Sequence, residues 1–432
     1  MVTDGRNGRP ATVSENRSAA DRRSCAGRFA ALTVRACGVA EEREGDDLVR
    51  PGIEGIDELL RDRLLIMVND RSAIDVLPYV PARTGGLVLT GAAAPVRCRE
   101  IRNARPEMVV VTDHGSHTEH IASVDAPFGL KTRGGWRELD VTGLNEVLDG
   151  QRDNRASYAV TPTCFIEGDE TADLPVLNAV IRQANQLRRQ DTVVLVPCSW
   201  RWLRRSCVSH LSEQIQACRH PVALILQADG DPLDRVQAPE GLRQLCRSCP
   251  RLVLWRTDLA AFDAMAHGAL GAAVGASAVL RHGVAPRPGT GGGGHKPYPV
   301  VLVRRLLRYH RVATLQDWFA HIAPWTCDCA VCGGAALTRF TDSDAHTVAA
   351  LRHTVCELYG LHEELDATLP GDERIGWWRQ QLADAWEYHR LLASQTDTEV
   401  AFPKVLQSWR RPCPPALPMV GRRRAQDRSR PS

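Results

Sequence analysis

Eight short apolar runs, spaced along some 210 residues, are the feature that most limits what this chain can fold into. They are LLIMVND (64–70), GLVLTG (86–91), MVVVTD (108–113), SYAVTP (157–162), TVVLVP (192–197), VALILQ (222–227), LVLWRTD (252–258) and GAAVGAS (271–277). Each is too short for a buried helix and rich in Val, Leu or Ile, as strands buried on both faces are. Amphipathic stretches at 175–190, 211–220 and 258–269 separate several of them and read as helices. Strand and helix in alternation make a parallel α/β fold, and eight repeats suit a closed (β/α)8 TIM barrel. An open doubly wound sheet is the competitor, but no G-x-G-x-x-G follows the first run.

The barrel is expected over 51–311. Residues 1–50 have little period and read as a disordered or loosely packed leader, and 420–432 (GRRRAQDRSRPS) as a basic disordered tail. A zinc-binding and helical subdomain is expected over 312–419. A net charge of +3 excludes a globally basic binder, so nucleic acid would have to meet a local patch. No run reaches the ~18 apolar residues of a membrane span and the N-terminus has no apolar signal region, which together point to the cytoplasm. The segment GVAPRPGTGGGGHKPYP (283–299) lacks the G-K-[ST] of a phosphate loop and reads as a mobile connection. Next comes VVLVRRLLRYHR (300–311), whose apolar stripe suggests a helix. Arg304, Arg305, Arg308 and Arg311 around it form the best local basic patch.

In a (β/α)8 barrel, chemistry sits where strands end. Here the ends carry Asp70, Asp113, Glu167, Asp169, Asp229, Asp231 and Asp258. Some are expected to be helix caps, because loops from strand to helix commonly end in Asp. His114, His117 and His120 follow the third run, and a loop that gathered them would suit a metal-dependent hydrolase, a third functional reading.

Fourteen cysteines in a chain of this length, without a secretion signal, suggest reduced, buried or metal-bound thiols. Cys246 and Cys249 read as an inert buried pair. The stretch CDCAVC places Cys327, Cys329 and Cys332 as C-x-C-x2-C, close enough for three thiolates to meet one ion. Zinc is the expected metal. The helix expected at 343–365 offers His353, His346 or Cys356 as the fourth ligand, with His353 favoured.

A barrel followed by C-x-C-x2-C and a helical His resembles the tRNA-guanine transglycosylase family and its paralogues that place 7-deazaguanines in DNA. The resemblance covers about 60–395, and the metal motif is its specific part. It implies a substrate guanine or 7-deazaguanine in tRNA or DNA, an aspartate that attacks ribose C1′, and a second aspartate that manages protons. VVVTDHGSH (109–117) is similar to the motif of that second residue and maps it onto Asp113, with Gly115 beside the substrate. The nucleophile's segment is most similar to GALGAAVGASAVLRH (268–282), where Ala273 falls at the nucleophile's place. Asp258 or Asp229 could then supply the carboxylate from another strand end, with Asp70 and the Arg304, Arg305 and Arg308 patch binding substrate. The resemblance also implies the alternative of a non-catalytic accessory subunit of the same fold. Its partner would be a catalytic paralogue or a second copy of the chain.

Overall fold

The computed structural model describes residues 55–168, 170–286, 298–396 and 400–411. The leader, Asp169, most of the glycine-rich connection and the basic tail lie outside the described residues. The strands, in chain order, are β1 (Arg63–Asn69), β2 (Gly85–Thr90), β3 (Val110–Thr112), β4 (Gly129–Thr132), β5 (Gly135–Glu138) and β6 (Ala159–Val160). They continue with β7 (Thr192–Ser199), β8 (Val222–Gln227), β9 (Leu252–Thr257), β10 (Gly271–Gly275), β11 (Val300–Val303) and β12 (Arg308–Arg311).

Eight of these form one parallel sheet in the order β3-β2-β1-β10-β9-β8-β7-β6, with β10 back beside β1. Each of the eight coincides with one of the eight apolar runs, overrunning it by two residues at most. The sheet is nearly closed: between β3 and β6 the Ser157 amide donates to Val110 O at 2.8 Å, and the Val110 amide donates to Ser157 Oγ at 3.0 Å. The fold is therefore the (β/α)8 barrel that the alternation predicts.

Alternation of side chains along each strand builds two cores. Leu65, Met67, Val88, Val111, Leu195, Ile225, Trp255 and Ala273 point inward and fill the barrel. Leu64, Ile66, Leu87, Val194, Leu224, Leu254 and Val274 point outward into the layer under the helices. Burial on both faces is why the runs are apolar without a break. The helix Ile56–Leu60 closes the end at which the strands begin, with Leu60 in the inner core.

Residues 300–311 are not a helix. They form an antiparallel hairpin, β11–β12, through a turn at Arg304–Leu306, with Leu307 left-handed at φ 45°. Val301 and Val303 enter a separate core with Leu315, Phe319, Leu337, Phe340 and Leu392. The helices Asp344–Asp366 and Asp372–Gln395 frame that core. At the other edge of the barrel, Arg243 is 2% exposed and holds Asp263, which is fully buried, through both carboxylate oxygens. Arg243 also donates to Arg411 O at 2.9 Å and to Trp409 O, which anchors the helix Lys404–Trp409. Among the described residues no helix is long and apolar enough to cross a membrane.

Candidate functional site

Two constellations stand out, one in each core region. The first is the cysteine cluster. Cys327, Cys329 and Cys332 lie on a tight turn, with the Cys332 and Gly333 amides both donating to Cys329 O at 2.9 Å. His353 lies on the helix Asp344–Asp366, and its Nδ1 is 3.6, 3.5 and 3.2 Å from the sulfurs of Cys327, Cys329 and Cys332. His353 Nε2 sits 2.9 Å from Leu302 O on β11. That carbonyl accepts the proton on Nε2 and leaves Nδ1 as a ligand atom, the usual outer partner of a metal-bound imidazole. Arg339 donates to Cys332 Sγ at 3.2 Å and so faces the thiolate charge. These four residues can hold a metal ion. His346 is turned away, its Nδ1 accepting from the Thr341 amide at 2.9 Å. Cys356 lies close by but outside the set of four.

The second constellation spans the barrel mouth, where the strands end. Asp113 follows β3 and is 4% exposed. Its Oδ1 accepts from the Gly115 amide at 2.8 Å, a turn that needs Gly115 at φ 69°. Its Oδ2 accepts from the Trp255 indole at 3.2 Å. Burial pushes this carboxyl up, but His117, the Gly115 amide, Arg256 and Trp255 together outweigh it and hold it below the usual carboxylate range. His117 is itself pushed down to about 4 by burial. It is therefore neutral near pH 7, and Arg256 donates to its Nε2 at 3.3 Å. Arg256, left-handed at φ 51°, is fixed by bonds to His282 O at 2.9 Å and Val279 O at 2.8 Å. Asp113 is thus an ionised anchor with both oxygens engaged.

Beyond Arg256 the mouth opens. Asp231, after β8, and Asp258, after β9, approach each other with His282: one ligand atom of each lies within 4.8 Å of the others. Asp231 Oδ1 accepts from the Leu233 amide at 2.8 Å, and Asp258 Oδ1 from the Ala260 amide at 2.9 Å. These caps fix the carboxylates. Burial first, and then the Asp258 charge, push the Asp231 carboxyl up to about 7. Burial keeps His282 below its usual range. The pair opens on a cavity of about 370 Å³, lined also by Arg308 and Tyr309 of β12 and by Lys404 and Trp409 of the C-terminal helix. Arg281 is 3.3 Å from the Tyr309 ring centroid and pins that wall. Asp231, Asp258 and His282 also make an oxygen-rich set that could take a hard divalent cation.

The other sequence candidates are dispersed. Asp70 accepts from the Ala93 amide at 2.7 Å, just before the helix Ala94–Ala104. Asp229 is exposed on the loop before Asp231 and does not line the cavity. The basic patch is split by the hairpin. Arg308 lines the mouth cavity, whereas Arg304 pairs with Glu364 and Arg305 lies over Trp325 and Tyr388. Arg304 and Arg305 border a larger cleft, about 850 Å³, beside the cysteine cluster. The three histidines do not converge: His117 is buried at the mouth and His120 stacks on Trp136 at 3.8 Å. Ala273 is fully buried inside the barrel. Cys246 and Cys249 are buried thiols, and Cys249 Sγ lies 3.5 Å from Ser212 Oγ. Trp255, Arg256 and His282 were not candidates from sequence, although the polar tail of LVLWRTD marks the first two.

No protein-family model matches the chain, and no curated protein does. Among solved structures the chain is similar to Rhizobium etli pyruvate carboxylase determined with the allosteric activator acetyl coenzyme A. The identity is 10% and the TM-score 0.32, over 83% of this chain and 32% of that one. The chain therefore spans about a third of that protein's length.

Proposed function

We propose that the protein is a transglycosylase-like enzyme that exchanges a guanine-type base, guanine or 7-deazaguanine, at C1′ of a nucleotide in RNA or DNA. The observation that carries this reading is the carboxylate pair Asp231 and Asp258. One member is pushed up to about 7 by burial and by the other's charge, and both stand at the edge of a 370 Å³ cavity. Two carboxyl groups a few ångströms apart are what displacement at an anomeric carbon requires when one attacks and the other protonates the leaving group. The metal motif supports the choice of base.

In this reading Asp258 Oδ2 attacks C1′ and the C–N glycosidic bond breaks, its electron pair passing to the departing base. Asp231 gives that nitrogen its proton. The incoming base then attacks C1′ from the vacated side, expels Asp258 and returns a proton to Asp231. Atoms and charge balance with no redox partner. Arg308 and Lys404 offer positive charge for the flanking phosphates. Asp113 acts at a distance, as a positioning residue that fixes Trp255 and, through His117, Arg256.

The metal of the cysteine cluster is zinc in this reading. Tetrahedral zinc with Zn–S near 2.3 Å and Zn–N near 2.0–2.1 Å sets nitrogen and sulfur roughly 3.5 Å apart, and the His353 Nδ1 distances of 3.2–3.6 Å match that edge. A closed set of four protein ligands is structural, so the zinc's contribution is folding free energy.

The test is exchange of labelled guanine and 7-deazaguanine into total RNA and DNA, with a denaturing-gel search for a covalent adduct. Wild type should form the adduct and Asp258→Asn should not. Neither exchange nor adduct from wild type would reject the enzyme. The burial of Ala273 favours one second reading, an accessory subunit; exchange seen only after mixing with a catalytic paralogue would establish it.

A further inference from the structure

At the same face of the barrel, the loops after β7 and β8 meet. The first runs Trp200-Arg201-Trp202-Leu203-Arg204-Arg205 and the second ends in Asp234-Arg235. The Arg204 guanidinium lies 4.9 Å from the Trp200 ring centroid and that of Arg235 lies 6.0 Å from it. Two cations from different loops thus stack on one half-exposed indole. The platform is rigid: the Arg205 amide donates to Gln237 Oε1 at 3.2 Å, and a Cβ on Gly241 would sit 2.0 Å from Leu203 O. Only a glycine lets the helix Ala238–Ser248 approach the turn so closely. Arg201 and Arg205 are exposed beside it. No carboxylate pairs with Arg201, Arg204, Arg205 or Arg235 within ion-pair distance among the described residues. Elsewhere, Arg137, Arg152, Arg251, Arg304 and Arg352 each face an acid.

Charge is also sorted within the second loop. Asp231 and Asp234 line the mouth cavity, while Arg235 lies against Trp200 and donates to Asp229 O. A cationic rim with a flat aromatic beside an acidic cavity separates two tasks. The rim attracts phosphates and the cavity receives what is to react.

We propose that this rim, Trp200 with Arg201, Arg204, Arg205 and Arg235, is the track of an unpaired nucleic-acid strand whose bases stack on the Trp200–Arg204 platform. Unpaired, because a base inside a duplex cannot offer its face to an indole, and because stacking with backbone contacts is how single strands are held without sequence readout. The inference rests on the reading of the mouth as a nucleic-acid site, but the binding it predicts needs no chemistry.

The experiment is fluorescence anisotropy with labelled 20-nucleotide RNA, the same sequence as single-stranded DNA, and its duplex, across a salt series. Wild type should bind single strands more tightly than duplex, and the RNA and DNA arms identify which backbone is preferred. The double variant Arg201→Ala with Arg205→Ala should lower affinity and flatten the logarithmic salt slope by about 1.4, at roughly 0.7 per single-strand phosphate contact. Trp200→Ala should lose roughly 5- to 150-fold in affinity, the range for one stacked base, with Trp200→Phe restoring most of it and excluding misfolding as the cause. Wild type that binds no oligonucleotide or prefers duplex, or a double variant with unchanged affinity and slope, would overturn the proposal. Binding without exchange would refute only the enzyme reading, and exchange with an unaltered double variant would refute only the track.

Discussion

Asp231→Asn should make the protein more stable above neutral pH while removing its acid. The carboxyl of Asp231 titrates near 7 in the folded protein and near its ordinary 3.8 when unfolded. The folded state therefore holds this proton more tightly. Its contribution to stability is fully present below pH 3.8 and is lost as pH rises through about 7. The shift corresponds to roughly 4 kcal/mol as an upper bound, at 1.36 kcal/mol per pKa unit. Asparagine is nearly isosteric, keeps an oxygen for the Leu233 amide and carries no charge to desolvate. Other groups tilt the curve the opposite way: His117 and His310 are pushed down by burial, to about 4 and about 3, so their protonation favours unfolding as pH falls. The difference between variant and wild type isolates Asp231. Urea unfolding at half-unit steps from pH 4 to 8.5 should give a difference that is small at pH 4, grows through pH 5–7 and levels off above pH 7.5. A flat difference would refute the perturbed carboxyl and with it the acid–nucleophile pair. A difference that grows toward low pH would refute the sign.

Cys329→Ser should release the metal and unfold the C-terminal region first, read by elemental analysis and by hydrogen exchange along Asp344–Asp366, because binding and folding are coupled there. Arg243→Ala should cost roughly 3–5 kcal/mol, since Asp263 would be left buried and unpaired, and proteolysis should then cut near Trp409, whose carbonyl loses its donor. Asp113→Asn should keep the fold and slow base exchange through kcat more than KM, because the residue positions Trp255 and touches no substrate; a pure KM effect would contradict that role.

The barrel was legible because its signal is local. A strand buried on both faces must be apolar throughout, and eight such runs sit between helices. The hairpin at 300–311 was not legible. VVLVRRLLRYHR has apolar residues at spacings a helix also uses, and its turn closes on a left-handed Leu307 instead of the glycine or asparagine that marks such turns. Reading it as a helix kept Arg304, Arg305 and Arg308 together, whereas the hairpin sends Arg308 to the mouth and the other two to the cleft by the cysteines. The metal cluster was legible down to its fourth ligand only in part: helix periodicity left His346, His353 and Cys356 open, and the Leu302 carbonyl, from a strand 51 residues away, orients His353. At the mouth, Asp229 and Asp231 look equivalent in sequence. The Pro232 turn and its cap leave Asp231 half-buried and Asp229 exposed.

The position of the carboxylate pair follows from what β10 cannot do. Ala273 is fully buried in the inner core, level with Leu65 of β1, so a carboxylate there would be sealed inside the barrel and unpaired. The next inward position is Gly275, and a Cβ on it would stand 2.3 Å from the Leu280 backbone, where the chain folds back over the strand. That fold-back carries Arg281 and His282 to the mouth, and its carbonyls at Val279 and His282 hold Arg256. The end of β10 is therefore occupied by its own loop, which leaves no room for a nucleophile and supplies an imidazole beside Asp258. Open space begins one strand over, between β8 and β9. That gap is where two carboxylates meet a cavity, and of the two Asp231 is the one whose proton burial and the neighbouring Asp258 charge retain.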